Sequence, residues 1–283
     1  MDQASQLRKL MKEPDSYSPK PTLIAVASGK GGVGKSTLTL NLGVALAKAG
    51  SRVAIFDIDI GFGNLETLLG ANAKYSMNDV KEGVVSLKEA FLEGPYGIHI
   101  LAGGSGLSTI TEWHKEEVNR FLTEVARMDV SYDVILFDTG AGLTDMQKTI
   151  LQAVDQTFVV TTPEPPAMTD AYSLVKLMSA TSPDFSFQLI VNQCSSLVEG
   201  TQSAKQFEQV CAEFLNCEVE IAGFIMKDAD ISVAVRKQIP YFLYAPKGSA
   251  ARSIERLAFK LRGFEPRDKN GVVGFISRWM TFR

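Results

Sequence analysis

Ten residues, Ser28-Gly29-Lys30-Gly31-Gly32-Val33-Gly34-Lys35-Ser36-Thr37, sit between a β-branched apolar run and a helical one, and they leave few folds open. From Gly29 the spacing is G-x-x-x-x-G-K-[ST]: the glycines let successive backbone N–H groups curl around an anion, and Lys35 neutralises its charge. Thr22 to Ala27 reads as a buried strand, and Lys35 to Gly50 as a helix with Leu38, Leu42, Ala45 and Leu46 on one face. Strand, glycine loop and helix together aim free amides and the positive end of a helix dipole at one point, which suits the phosphates of a nucleoside triphosphate. The candidate nucleotide-binding set is therefore Gly29, Lys30, Gly31, Gly32, Val33, Gly34, Lys35, Ser36 and Thr37, with the Thr37 hydroxyl expected on an α-phosphate oxygen. Lys30 is a lysine more than the motif requires.

Strand-like runs recur at Arg52 to Asp57, Gly97 to Leu101, Tyr132 to Asp138, Thr157 to Thr161, Phe187 to Asn192 and Ile221 to Met226. Helical spacing marks Val118, Phe121, Leu122 and Val125, then Leu174, Leu177 and Met178, then Ile254, Leu257, Ala258 and Leu261, all read as core-facing. Such alternation predicts an α/β fold of three layers, a mostly parallel central sheet with helices on both faces. Ligands of such sheets bind beyond the carboxyl ends of the strands, where this chain places acids. Asp57 and Asp59 follow the second run: Asp57 suits magnesium-linked water, and Asp59 is the candidate that positions an attacking water, unless the pair is only a solvated acidic loop. Tyr132 to Phe137 ends in Asp138, a Walker B pattern supporting Mg²⁺, with the Ser36 hydroxyl as direct ligand. Gly140 and Gly142 behind it allow close backbone approach to a γ-phosphate.

A net charge of −3 over 283 residues argues against a broadly basic nucleic-acid surface, so no nucleic-acid partner is expected. Cys194, Cys211 and Cys217 lack C-x-x-C spacing and read as reduced thiols, and His99 and His114 as surface or structural residues. The first residues hold no long apolar stretch and no segment reaches membrane-spanning length, which predicts a cytoplasmic protein. Residues 1–20 and 264–270 are polar connectors outside the α/β rhythm, bounding a domain at 21–263. In 271–283, Val272, Phe275, Ile276, Trp279 and Met280 share one helical face with Lys269, Arg278 and Arg283 nearby. That pattern fits an interfacial helix lying reversibly on the inner face of a membrane; it also fits a helix docked on its own domain.

With these pieces in place the chain resembles the MinD/ParA family of deviant Walker A P-loop ATPases, from about Thr22 to Gly263. The resemblance implies a P-loop NTPase fold, ATP/ADP and Mg²⁺ as cofactors, ATP hydrolysis, and a homodimer with ATP. In that family the lysine matched by Lys30 reaches across the dimer to the partner's phosphates, so Lys30, Lys35 and Asp59 form the expected catalytic set. Asn192 matches the adenine-contacting asparagine, or else caps its strand, and Asp228 matches a purine-side position. Asp2-Gln3-Ala4-Ser5-Gln6-Leu7-Arg8 resembles the D-Q-A-x-x-L-R element of the FlhG (FleN/YlxH) flagellar-number regulators. That likeness implies stimulation of FlhF, a signal-recognition-particle-type GTPase, with Gln3 and Arg8 acting in the partner's site beside an apolar edge that includes Leu7 and Leu10. It also implies contact with flagellar switch or C-ring components. The competing expectation is a ParA-like partitioning ATPase on DNA; an iron–sulfur carrier lacks its cysteine spacing.

Overall fold

A computed structural model describes residues 21–59, 63–104, 131–182 and 185–263, with positions 113, 117, 120, 121, 124, 125 and 128. The N-terminal Gln3, Leu7 and Arg8, the C-terminal Val272, Phe275, Ile276, Trp279 and Met280, and Val118 and Leu122 of the expected helix lie outside the described residues.

Among the described residues eight strands form one sheet: β1 (Thr22–Ser28), β2 (Val53–Asp57), β3 (Leu92–Glu93), β4 (His99–Leu101), β5 (Val134–Ala141), β6 (Gln156–Thr161), β7 (Gln188–Cys194) and β8 (Glu220–Met226). Their spatial order is β3-β4-β2-β5-β1-β6-β7-β8. All pairings are parallel except β3 with β4, so the sheet is mostly parallel, as its near-continuous apolar strands require. The dipeptide β3 is too short to carry an alternation and was not legible in the sequence. β5 runs on past Asp138 to Ala141, further than its apolar run suggests.

Ten α-helices and one 3₁₀ turn (Pro95–Gly97) are bounded among the described residues: α1 (Lys35–Lys48), α2 (Leu65–Leu69), α3 (Met77–Glu82), α4 (Leu87–Ala90), α5 (Asp145–Ala153), α6 (Pro165–Thr181), α7 (Leu197–Leu215), α8 (Ala229–Arg236), α9 (Tyr241–Tyr244) and α10 (Ser249–Arg262). α1 and α10 share one apolar core with β1, β2 and β6, and α6 and α7 lie in the core on the other face. α1 is not the one-faced helix its spacing suggests, because Leu38 through Ala47 is buried without a break beneath α9 and α10. Leu174 and Met178 of α6 face the core as expected, whereas Leu177 is 45% exposed. A helical turn advances 100° per residue, so three apolar residues in five span more arc than this sheet contact covers.

Candidate nucleotide site

The glycine loop joins β1 to α1 at the carboxyl edge of the sheet. Gly32 (φ 82°) and Gly34 (φ 87°) hold left-handed backbone, and Gly34 is the residue from which α1 starts. Gly34 is required a second way: a Cβ there would lie 2.5 Å from Asn192 Nδ2. A Cβ at Gly29 would overlap the Asp170 carbonyl of α6, so the loop is pressed against that helix. From the end of β7, Asn192 Nδ2 donates to the Val33 carbonyl (2.7 Å), and its Oδ1 accepts from the Gln193 amide (2.9 Å). Asn192 therefore caps its strand and braces the phosphate loop at once. Lys30 is exposed at the loop's opening.

Lys35 and Asp138 meet below the loop. Lys35 Nζ lies 2.7 Å from Asp138 Oδ1 with side chains 7% and 0% exposed, and 3.4 Å from Ser36 Oγ. Thr39, one turn along α1, donates its hydroxyl to the same Asp138 oxygen (3.2 Å). Asp138 Oδ2 is buried with no hydrogen-bond partner. Orphaned buried carboxylate oxygens are rare and need an explanation. A hard oxygen on the acid whose other oxygen shares Lys35 Nζ with the Ser36 hydroxyl fits Mg²⁺, directly or through its waters. The site thus passes the test for the cation and nucleotide that its motif implies.

Asp57 pairs in register with Asp138 on the neighbouring strand. Its Oδ1 accepts from the Asp59 amide (3.1 Å), and its Oδ2 from the amides of Asn64 (3.0 Å) and Leu65 (3.3 Å). Burial first, then the Asp138 charge, push its carboxyl up to about 7, against the pull of the Leu65 and Asp59 amides and of Lys35. Asp57 holds the loop that carries Asp59. Asp59 is half-buried, and burial raises its carboxyl while Lys35 opposes the rise. A Cβ on Gly140 would stand 2.7 Å from Asp59 Oδ1 and 2.8 Å from Gln147 Nε2, so the end of β5, Asp59 and Gln147 converge on one spot.

Beyond α1, Thr37, Asn192 and Asp228 line one cavity of about 180 Å³ together with Ile225, Ile231 and Tyr241. Apolar walls with a few polar groups suit a flat base. Asp228 itself is committed: Oδ2 accepts from Tyr241 Oη (2.5 Å) and from the Ser249 amide and hydroxyl (2.9 Å each), and Oδ1 from the Asp230 amide (3.1 Å). Partial burial opposes ionisation, yet the Tyr241 and Ser249 hydroxyls and the two amides hold its pKa at about 2. Asp228 builds the cavity wall.

Three participants were not singled out from sequence. Thr39 was findable, since it lies four residues beyond Lys35 on the same helical face. Gln147 closes a capping box with Thr144, a T-x-x-Q signal present in the sequence. Gln193 donates Nε2 to the Gly32 carbonyl (3.5 Å) from a left-handed backbone (φ 59°), which no local pattern announces. His99 proves structural as expected, its Nδ1 lying 2.6 Å from Tyr132 Oη.

The arrangement is that of a known family, whose model, described as "ParA: NUBPL iron-transfer P-loop NTPase", matches residues 21–262. The chain belongs to the ParA family of P-loop NTPases. It is 32% identical to the antiactivator FleN of Pseudomonas aeruginosa, covering 94% of this chain and 95% of FleN. It is 31% identical to the flagellum site-determining protein YlxH of Helicobacter pylori, covering 99% of each. The solved MinD cell division protein of Aquifex aeolicus superposes with a TM-score of 0.69 at 27% identity, covering 86% of this chain and 98% of MinD. The FlhG resemblance and the three-layer fold both stand, and as a member of this family the chain is an ATP hydrolase.

Proposed function

We propose that this ParA-family ATPase is a nucleotide-driven switch in flagellar number or placement: with Mg-ATP it forms a homodimer through Lys30 and settles on the cytoplasmic membrane by residues 271–283. Hydrolysis returns a monomer, and residues 1–20 stimulate a signal-recognition-particle-type GTPase. Contacts with flagellar switch or C-ring components belong to the same reading. The observation that carries the nucleotide half is the buried Lys35–Asp138 pair with its unpartnered Asp138 Oδ2. The near full-length likeness to FleN and YlxH supports the flagellar half.

The residues act as follows. Asn192 holds the Val33 carbonyl turned back, which leaves the amides of Gly31 to Thr37 to face the phosphates. Lys35 exchanges Asp138 for phosphate oxygens, trading one anion for another without leaving a bare buried charge. Asp138 and Ser36 would hold Mg²⁺, with Asp57 behind them through water. Bound there, the cation would supply positive charge against the negative charge that develops in phosphoryl transfer. Asp59, steadied by the Asp57-bound loop, orients the attacking water, and Gly140 leaves space for it. Lys30, exposed at the loop's mouth, serves the partner's phosphates in trans. Cys194 and Cys211 are buried, and the three cysteines lack C-x-x-C spacing, which weighs against iron transfer.

Co-sedimentation with anionic vesicles tests the switch, using wild type and Lys30→Ala with and without Mg-ATP. Wild type is expected to pellet with ATP and Lys30→Ala to stay in solution. Equal pelleting in all four samples refutes the switch, and ATP-dependent binding to duplex DNA in place of vesicles favours a partitioning role.

A further inference from the structure

At the end of the sheet opposite the phosphate loop, before β2, β4 and β5 begin, lies a groove of about 1050 Å³ that nucleotide chemistry does not use. Phe91, Met128 and Tyr132 give it an apolar strip between polar flanks that include Ser86, Lys88, Glu93 and Glu124, with Arg52 and Tyr96 at the rim. Tyr96 is unusual twice over: it is 56% exposed, and its backbone is left-handed (φ 58°), a conformation that a bulky residue seldom adopts. An exposed aromatic ring on a left-handed turn offers apolar surface at this rim.

The chain enters its first strand beside this groove. The Thr22 amide donates to the Asp133 carbonyl (2.9 Å), and Asp133 lies between groove residue Tyr132 and the start of β5. Pro21, which joins residues 1–20 to β1, therefore stands at the groove's edge. Of these, 12–20 span up to ~30 Å when extended, whereas the groove begins one or two strand spacings away, ~5–10 Å. Residues 2–11 carry Ala4, Leu7, Leu10 and Met11 along one helical edge, ~15 Å long as a helix. So short an amphipathic helix is marginal alone in water and needs a surface to form on.

We propose that residues 2–11 dock as a helix into this groove, with Leu7 and Leu10 against Phe91, Met128 and Tyr132 under the Tyr96 rim. Docking covers the edge that residues 1–20 would offer a partner, so the element is withheld until it is displaced. That consequence rests on the function proposed above; the docking does not. Tethering supplies the segment at an effective concentration in the millimolar range, enough for a modest apolar contact.

Hydrogen–deuterium exchange on the full chain tests it, comparing wild type, Leu7→Asp, Tyr96→Asn and Phe275→Asp with a free peptide of residues 1–20. Tyr96→Asn should fold normally, because the site is exposed and asparagine tolerates the left-handed backbone. The expected result is exchange about tenfold slower in residues 2–11 than in the peptide, erased by Leu7→Asp and Tyr96→Asn. Leu7→Asp should also speed exchange at the 94–99 rim. Peptide-like exchange in wild type, or protection that survives both variants, overturns the docking. Protection lost with Phe275→Asp alone also overturns it, because the occupant is then the C-terminal segment. Protection without stimulation of an FlhF-type GTPase by any of these chains sustains the docking and removes the partner role, whereas stimulation without protection does the reverse.

Discussion

Lys35 and Asp138 show how a buried lysine and a buried carboxylate satisfy one another. A charge 7% exposed needs a partner, and a carboxylate fully out of water needs a donor, so each satisfies the other across 103 residues of chain. Removing one partner of a buried pair leaves the other uncompensated, at a cost of about 3–5 kcal/mol. Lys35→Ala is therefore expected to abolish ATP hydrolysis and also to lower the stability of the nucleotide-free protein by about 3 kcal/mol, measured by urea denaturation. The Thr39 hydroxyl on Asp138 softens the loss, and Lys35→Ala with Asp138→Ala should recover most of it. A single variant as stable as wild type shows that water or a proton reaches Asp138. Gly34→Ala probes the loop by shape, since both its φ of 87° and Asn192 Nδ2 at 2.5 Å oppose a side chain. The expected cost is about 1–3 kcal/mol together with weakened nucleotide binding by calorimetry; unchanged affinity shows that Asn192 does not brace the loop.

Among the elements, α8 depends most visibly on one side chain. Asp228 caps it through the Asp230 amide and ties it to α10 through Ser249 and to α9 through Tyr241. Its folded pKa of about 2 lies below the unfolded value of about 3.9, so its contribution is complete above pH 4 and disappears as pH falls toward 2. Screening by solvent keeps that contribution near 1 kcal/mol. Asp228→Asn should then be less stable than wild type at pH 7, with the gap closing by about pH 2.5; a gap independent of pH assigns the effect to packing. The elements also show where sequence patterns are legible. The buried strands and the P-loop helix were readable because their apolar runs leave no second choice of environment. α7 was not, since it buries Gly200, Ser203, Ala204, Phe207 and Cys211 while leaving Leu197, Val198 and Phe214 57–67% exposed, which inverts the usual pattern. Gly200 faces inward because a Cβ there would meet Phe224 at 2.8 Å, a tertiary demand with no local trace. The site divides the same way: motif spacing marks Lys35, Ser36 and Asp138, but only the fold ties Asp228 to Tyr241 and Ser249 at the cavity's edge and hangs Asp57 on three amides.

At the scale of the whole molecule the proposed switch assigns binding to Lys35 and assembly to Lys30. Lys35 is buried within its own protomer, and Lys30 is exposed at the loop's opening. Mg-ATP at a hundred times its dissociation constant stabilises the folded state by about 2.7 kcal/mol, because the unfolded chain has no loop to bind it. For a domain this size each kcal/mol raises the melting temperature by about 2–4 °C, so wild type should gain roughly 5–10 °C. Lys35→Ala should gain nothing. Lys30→Ala should keep most of the shift, since one protomer still supplies the loop amides, Lys35, Ser36 and Asp138. Solution mass then divides the cases: wild type with Asp59→Ala to block turnover is expected to double in mass with Mg-ATP, while Lys30→Ala stays monomeric at the same occupancy. If Lys30→Ala dimerises like its parent, the exposed lysine is not a trans ligand and dimer formation needs another surface. If it loses the thermal shift as well, Lys30 serves its own nucleotide and the division of labour between the two lysines is wrong.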